Sequence, residues 1–356
     1  MSSQKGDTPR YRRLLPLVII VALAVVFAAN RFFFPPPMLF FQDRREMMDT
    51  WVTITVYDRN PEVAEVAIAT AFARMEEVER IASIYDPQAE AFRLNETGRS
   101  DDPSPELWKL IEVAKDYYTL TDGTFDITVE PLLDLWRYKE GAEQQFWELD
   151  PEIQEQAITA ALALVSADRI TLSTDPHRSI VLTPGMKVTF GGIAKGYAVD
   201  QGLNALRTSG IAHALIDAGG DIGVFGGKPG GAKWELALRN PRDSEDFLVR
   251  FVLTDGAIAT SGNYERYFDR EAKVGHIMDP RTGYSSHASS SATVVAGTCM
   301  KADALATAAF VLGPQDGIEL ANSLDRVEAL IVSYDEPEQV YRSDGLEEYV
   351  EKKGDL

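Results

Sequence analysis

Cysteine is almost absent. Cys299 is the only one in 356 residues, which excludes an internal disulfide and any cysteine-rich zinc or iron–sulfur centre. It lies far from the N-terminus, so the apolar leader offers no cysteine for lipid attachment. Histidine is scarce too: His177, His213, His276 and His287 leave little material for a histidine-based metal cluster. Basic residues are in deficit, with 35 Lys and Arg against 55 Asp and Glu for a net charge of −20. The first 13 residues hold Lys5, Arg10, Arg12 and Arg13 against Asp7 alone, so the remainder carries 31 basic and 54 acidic residues, net −23. A body that acidic repels a phosphate backbone and is a poor partner for nucleic acid. Any anionic ligand must be held by a metal ion, by helix N-termini or by a few placed cations. There is no fixed-period repeat, which disfavours a solenoid or propeller.

What is present is ordinary globular composition, 45% hydrophobic and 25% charged, on a chain long enough for one large or two ordinary domains. The segment LLPLVIIVALAVVFAA, Leu14 to Ala29, follows the basic cluster without a charge. It reads as a cleaved signal peptide or as an uncleaved signal anchor; a buried core helix is the bland reading. Val26-Phe27-Ala28 resembles a small-x-small cleavage signal. Against cleavage, apolar character resumes in FFFPPPMLFF after Arg31 and extends a span that is short at roughly 1.5 Å per residue. The expected organisation is a basic cytoplasmic region over 1–13, a transmembrane anchor over 14–34, a folded body over 46–345 and a charged tail over 346–356, frayed beyond about Tyr349. The positive flank stays in the cytoplasm, which puts the body on the periplasmic, extracytoplasmic side of the inner membrane.

Within the body, Thr50 to Asp58 alternates as a half-buried strand. Ala64, Ile68, Ala71, Phe72, Met75, Val78 and Ala82 recur at helical spacing. Ser104-Pro105-Glu106 starts a helix that ends near Gly123. A charged, Gln-rich helical region covers about 139 to 165. RITLST, SIVLTP and KVTF read as strands, KGYAVDQGLNALRTSG as a helix, HALIDAGGDIGVFG, KWELALRN and FLVRFVLTDGAIATSG as strands and turns, KADALATAAFVLG as a helix, and RVEALIVSYD as a last strand. Strands and helices mix without regular alternation, so the fold class is α+β.

Several segments can carry chemistry. GGIAKGYAVD, Gly191 to Asp200, puts glycines before a helix start, where backbone approaches a ligand closely and free N–H groups suit a phosphate; Lys195 adds a cation. The bland reading is a tight strand-to-helix turn, since the string is neither a Walker A nor a GxGxxG sequence. Asp303 and Thr307 are four apart, which on a helix sets a carboxylate and a hydroxyl on one face and suits a hard ion such as Mg²⁺; equally, Asp303 caps the helix and Thr307 packs. In HIMDPRTG, His276 stands beside a dense polar turn and is suited to proton transfer near neutrality, although a lone histidine is more often structural. DGTFDITVEPLLDLW offers Phe125 and Asp126 to a ring system, or is a turn and a buried strand. TSGNYERYF, from Thr260, is at minimum a polar turn.

In their order along the chain, DGTFDITVEPLLDLW, GGIAKGYAVD, AGGDI, ATSGNYER, HIMDPRTG and ADALATA resemble the FAD:protein FMN transferase family, also called the ApbE family, over roughly residues 46 to 333. The resemblance implies an ApbE-like (T-fold-like) mixed sheet with helices, and a Mg²⁺-dependent enzyme that moves FMN from FAD to threonine hydroxyls of extracytoplasmic electron-transfer proteins. It implies flavin or FAD contacts at Met48, Tyr85, Thr124, Phe125, Asp126, Thr189, Lys195 and the Ile277 backbone. It implies metal ligation by Asp303, Thr307 and a carbonyl near Gly192, with His276 as proton acceptor and Asp279 supporting its loop. Two positions depart from the family pattern: Asp49 stands where glycine is usual, and Thr189 where aspartate is usual. A Mg²⁺-dependent FAD pyrophosphatase and a non-catalytic flavin-binding protein are the alternatives.

Overall fold

The computed structural model describes residue 20 and residues 37–240, 247–262, 267–269, 274–334 and 339–351. The leader, residue 20 apart, and residues 352–356 lie outside this set, as do residues 263–266 of the NYER stretch. No helix among the described residues is long and apolar enough to cross a membrane.

The core is one eight-stranded sheet whose spatial order follows the chain: β1 (Leu39–Met47), β2 (Thr50–Asp58), β3 (His213–Ala218), β4 (Ile222–Phe225), β5 (Gly256–Gly262), β6 (Ser289–Ala296), β7 (Glu328–Ser333) and β8 (Val340–Arg342). Every neighbouring pair is antiparallel. Among residues 37–351 that the structure describes, the α-helices are α1 (Pro61–Ala82), α2 (Glu90–Thr97), α3 (Pro105–Leu120), α4 (Glu130–Trp136), α5 (Pro151–Leu162), α6 (Ala194–Thr208), α7 (Cys299–Leu312) and α8 (Pro314–Asn322). α1, α6 and α7 pack side by side, with α7 lying on β5 and β6.

Period-two alternation explains why this sheet is buried on both faces at its centre. On β5, β6 and β7, Ala257, Ala259, Val294, Ala296, Ala329 and Ile331 join the core beneath the helices. Their neighbours Ile258, Val295, Leu330 and Val332 point the other way, into a second core closed by a two-stranded hairpin of Trp234–Arg239 with Phe247–Leu253. A third cluster joins α4 and α5, through Leu132, Trp136 and Ile158, to Val274 and Met278 around the His276 segment. The mixed α+β architecture read from the sequence is therefore the observed one.

The strand at 50–58 and the helix face from Ala64 to Ala82 form as the spacing predicts, and Ser104 caps α3 by accepting the Leu107 N–H at 3.1 Å. Other expectations need correcting. KVTF forms no strand: the Asn95 side-chain amide binds both the N–H and the carbonyl of Val188, at 2.7 and 2.8 Å, in place of a neighbouring strand. ITVEPLLDLW is helical, a 3₁₀ turn at Ile127–Val129 running into α4. In the 139–165 region the longer helix is confined to Pro151–Leu162. The body begins at or before Leu39 rather than at 46, because β1 pairs with β2 along its whole length. It also runs past 345: Leu346 is fully buried in the second core and the Glu351 N–H donates to Arg250 O, so the segment to 351 is packed, not frayed.

Candidate active site

The GGIAKG turn enters α6 tightly, Ile193 and Ala194 donating to Phe190 O at 3.1 and 2.8 Å. α6 has no side-chain cap of its own. Its first-turn Gly196 N–H donates instead to Asp303 Oδ2 on α7, at 3.0 Å. The exchange is mutual, because Asp200 on α6 accepts the Cys299 and Met300 N–H groups at the start of α7, at 2.8 and 3.0 Å. Each helix thus supplies the carboxylate for the other's positive end. Such close approach requires glycine at 196, where a Cβ would stand 2.5 Å from Cys299 O and 2.8 Å from Asp303 Cβ.

Around this junction the candidate residues converge. Asp303 is 5% exposed. Burial and the neighbouring Asp221 carboxylate push its carboxyl well above the usual carboxylate range, while Lys195 and the Gly196 N–H pull the other way. Thr307 lies one turn further along the same face, its Oγ1 3.3 Å from Ser261 Oγ on β5. A Cβ on Gly192 would meet Thr307 Oγ1 at 2.9 Å and the Phe125 ring at 3.3 Å, so the bare backbone of Gly192 is what fits against the hydroxyl. Lys195 Nζ stands 2.7 Å from Asp221 Oδ2, the acid that closes the AGGDI turn, and Asp221 is only 2% exposed.

A divalent cation fits this arrangement. A buried carboxylate with an unfavourable charge, a hydroxyl one turn away and a backbone made accessible by a missing Cβ form an all-oxygen donor set. Among the described residues no three His, Cys, Asp or Glu side chains cluster as a metal site. The candidate set has one such side chain, which suits an ion that keeps several waters and takes oxygens from its substrate.

The other expected residues are placed differently. Met48 and Asp49 form the two-residue turn between β1 and β2, both with positive φ (52° and 55°), and Glu79 accepts the Met48 N–H at 2.7 Å. Met48 thus lies in a turn at the end of the paired strands. Thr124 and Phe125 are buried in the turn after α3, where Thr124 Oγ1 donates to Thr121 O and the Thr121 hydroxyl accepts the Phe125 N–H. The Asp126 carboxylate is committed to the Thr128 N–H, the Thr128 hydroxyl and the Ala167 N–H, at 2.7, 2.7 and 3.2 Å. Its oxygens hold the local fold. The Thr189 N–H donates to Ile127 O at 2.7 Å, and its hydroxyl faces the Gly191 N–H at 3.4 Å, tying the GGIAKG turn to the Thr124–Asp126 segment. Tyr85 lies in the loop after α1 and is 66% exposed as a residue.

His276 is half-buried at the end of a short strand, Val274–Gly275. Its loop is braced by hydrogen bonds. Asp279 O accepts from Thr282 and Gly283, and the Asp279 carboxylate binds the Arg281 backbone N–H and guanidinium at 2.8–2.9 Å. The Ile277 carbonyl accepts the Ser286 N–H at 2.9 Å. Trp136 Nε1 donates to Gly283 O at 2.8 Å from the end of α4.

Asp200, Asp221 and Ser261 are the members that sequence reasoning did not assign. All three stand inside segments singled out for other residues, but nothing along the chain says that they meet Asp303, Lys195 and Thr307 in space.

A model of the ApbE family matches residues 48–331. A Haemophilus influenzae protein named FAD:protein FMN transferase is 31% identical over 75% of this chain and 80% of its own length. The protein of that name in Vibrio cholerae is 29% identical over 83% of this chain and 89% of its own. Among solved structures, the ApbE protein of Thermotoga maritima superposes with a TM-score of 0.78 at 30% identity, covering 88% of this chain and all of that one. The flavin transferase ApbE of V. cholerae superposes at 0.75 with 25% identity, over 88% of this chain and all of its own.

Proposed function

This chain belongs to the ApbE family, and from that membership we propose that it is a flavin transferase that moves FMN from FAD to a threonine hydroxyl of another protein, releasing AMP. The observation that supports this reading best is the convergence of Asp303, Thr307, Gly192 and Lys195 at the exchanged helix ends of α6 and α7. That junction combines an oxygen donor set with a cation and a helix N-terminus, the features a diphosphate needs.

Asp303, Thr307 and a main-chain oxygen near Gly192 would hold Mg²⁺, which when bound supplies charge neutralisation at a diphosphate. The chain's own residues do the rest. Lys195, kept in place by Asp221, puts positive charge beside the phosphates of FAD. The threonine hydroxyl of the acceptor attacks the FMN-side phosphorus, the bond from that phosphorus to the AMP oxygen breaks, and AMP leaves with the bonding electrons. His276 takes the hydroxyl proton as the new P–O bond forms. The Asp279 turn and the Trp136 hydrogen bond keep the histidine's loop from drifting.

The acidic body makes a bound cation more necessary, since few basic side chains are at hand to replace it. The leader over 14–34 fits an anchor that holds the enzyme at the inner membrane with its body on the extracytoplasmic side, where membrane-bound electron-transfer subunits would be its acceptors.

The test is to incubate the full chain with FAD, Mg²⁺ and a threonine-bearing acceptor domain. Flavin fluorescence on the acceptor that survives denaturing electrophoresis, with AMP released in step, supports transfer. AMP and free FMN without a labelled band would mean that water is the acceptor and the chain is a pyrophosphatase.

A further inference from the structure

Arg137, the C-cap residue that follows α4, reaches across to Tyr85. Its Nη2 lies 3.3 Å from the Tyr85 hydroxyl and its Cζ 5.5 Å from the ring centroid. The same guanidinium is held from behind by two carboxylates, Nη2 donating to Glu130 Oε1 at 2.8 Å and Nη1 to Asp134 Oδ1 at 2.6 Å. Asp134 is steadied in turn by Lys187, at 2.9 Å. Glu130 is 3% exposed, and its second oxygen is buried without a hydrogen-bond partner.

This is an expensive way to hold a surface tyrosine. A buried ion pair stabilises a fold little, since desolvation offsets its attraction, and an apolar pair of similar volume is often as good. What such a pair does provide is direction. Arg137, fixed by two acids, aims one donor at a phenol whose ring is otherwise open to solvent. The preceding residue, Trp136, binds Gly283 O and packs at 5.7 Å between centroids on Tyr284, at the end of the His276 loop. Residues 136 and 137 therefore join the His276 loop to Tyr85. Asp49, in the β1–β2 turn, bears electrostatically on Tyr85 as well, so that turn, Tyr85 and the end of α4 lie together.

We propose that Arg137 is a positioning residue for the flavin ring of FAD: clamped by Glu130 and Asp134, it fixes the Tyr85 phenol so that the exposed ring face is a preset platform for the isoalloxazine. The inference rests on FAD being the substrate. Its physical content is preorganisation: an exposed tyrosine loses rotamer freedom when a planar ligand stacks on it, and a tyrosine already held by its hydroxyl loses less.

The test compares FAD with ADP, which shares the adenosine diphosphate portion but has no flavin, on the full chain and on Arg137→Met, Tyr85→Phe and the double variant. Tyr85→Phe keeps the exposed ring and removes only the hydroxyl that Arg137 grips, so it leaves Glu130 and Arg137 paired and the fold intact if Arg137→Met proves unstable. FAD affinity is read by flavin fluorescence quenching and ADP affinity by competition. Either single change is expected to weaken FAD about tenfold, the size of one hydrogen bond to a charged group, leave ADP within twofold, and add nothing further in the double variant. Equal weakening of FAD and ADP, unchanged FAD affinity, or additive losses would overturn the positioning role. If the unaltered chain binds neither nucleotide, the proposed function itself fails; if it binds FAD well and the variants do not discriminate, only this inference does.

Discussion

Lys195 Nζ and Asp221 Oδ2 stand 2.7 Å apart, near enough to Asp303 for both to bear on its carboxyl. The lysine is therefore not a loose surface cation but one arm of a pair whose other arm is almost fully buried. Asp221→Asn keeps the shape and removes the charge that orients the lysine. We expect kcat/KM for FAD to fall by about tenfold or more, Lys195→Met to cost at least as much, and the double variant to be little worse than Lys195→Met alone, because residues acting as one unit are not additive. Steady-state AMP release checks it; additive losses would mean that the two act separately.

Gly196→Ala tests the helix junction. Its Cβ would overlap the Cys299 carbonyl and the Asp303 side chain, and a backbone carbonyl cannot swing aside as a flexible side chain can. Overpacking of this kind costs about 1–3 kcal/mol. A lowered Tm by calorimetry is expected, together with a raised Mg²⁺ requirement, since Asp303 is displaced as α6 and α7 separate. Gly192→Ala meets only Thr307 and the Phe125 ring, so it should raise the Mg²⁺ requirement with a smaller fall in Tm.

The β1–β2 turn carries a local cost. Met48 and Asp49 both adopt positive φ, which glycine accepts freely and most other residues do not. Asp49→Gly should stabilise the protein by about 0.5–1 kcal/mol in denaturant unfolding. A loss of stability would show that the Asp49 side chain contributes more than its backbone costs.

Glu130 makes stability depend on pH. Burial pushes its carboxyl up to about 7 despite the pull of Arg137. A carboxyl raised in the folded state binds its proton more readily there than in the unfolded chain, so its penalty is absent at low pH, grows as pH rises from about 4.5 to 7, and is complete above that. Glu130→Gln should flatten this part of the profile, narrowing the difference in unfolding free energy between pH 5 and pH 8 by about 1–3 kcal/mol. An unchanged difference would place the titration elsewhere.

Much of this molecule was legible before its structure. The strand at 50–58 and the helix from Pro61 to Ala82 have one buried face each, so their periods were plain. KVTF was misread because it is apolar and extended yet bonded to the side chain of Asn95, a partner 93 residues away that no local pattern encodes. ITVEPLLDLW was misread because its β-branched start hides a 3₁₀ turn that leads into a helix. At the candidate site, the four-residue spacing of Asp303 and Thr307 puts them on one face of a helix, and the structure has both on α7. Asp200 and Asp221 were not legible in this way, since their roles come from pairing with other elements. The Asp126 carboxylate is bound by the Thr128 N–H and hydroxyl and by the Ala167 N–H, the last from a residue 41 positions away that no local pattern encodes.

The proposed transfer requires that a protein hydroxyl, not water, receive the FMN at a site built on Asp303. It is tested most directly by intact mass spectrometry of a threonine-bearing acceptor after incubation with FAD, Mg²⁺ and the full chain. The expected result is an acceptor heavier by one FMN less one water, no gain when its threonine is replaced by valine, and no gain when the enzyme carries Asp303→Ala. An acceptor of unchanged mass while FMN and AMP accumulate, or one still labelled by the Asp303→Ala enzyme, would contradict it.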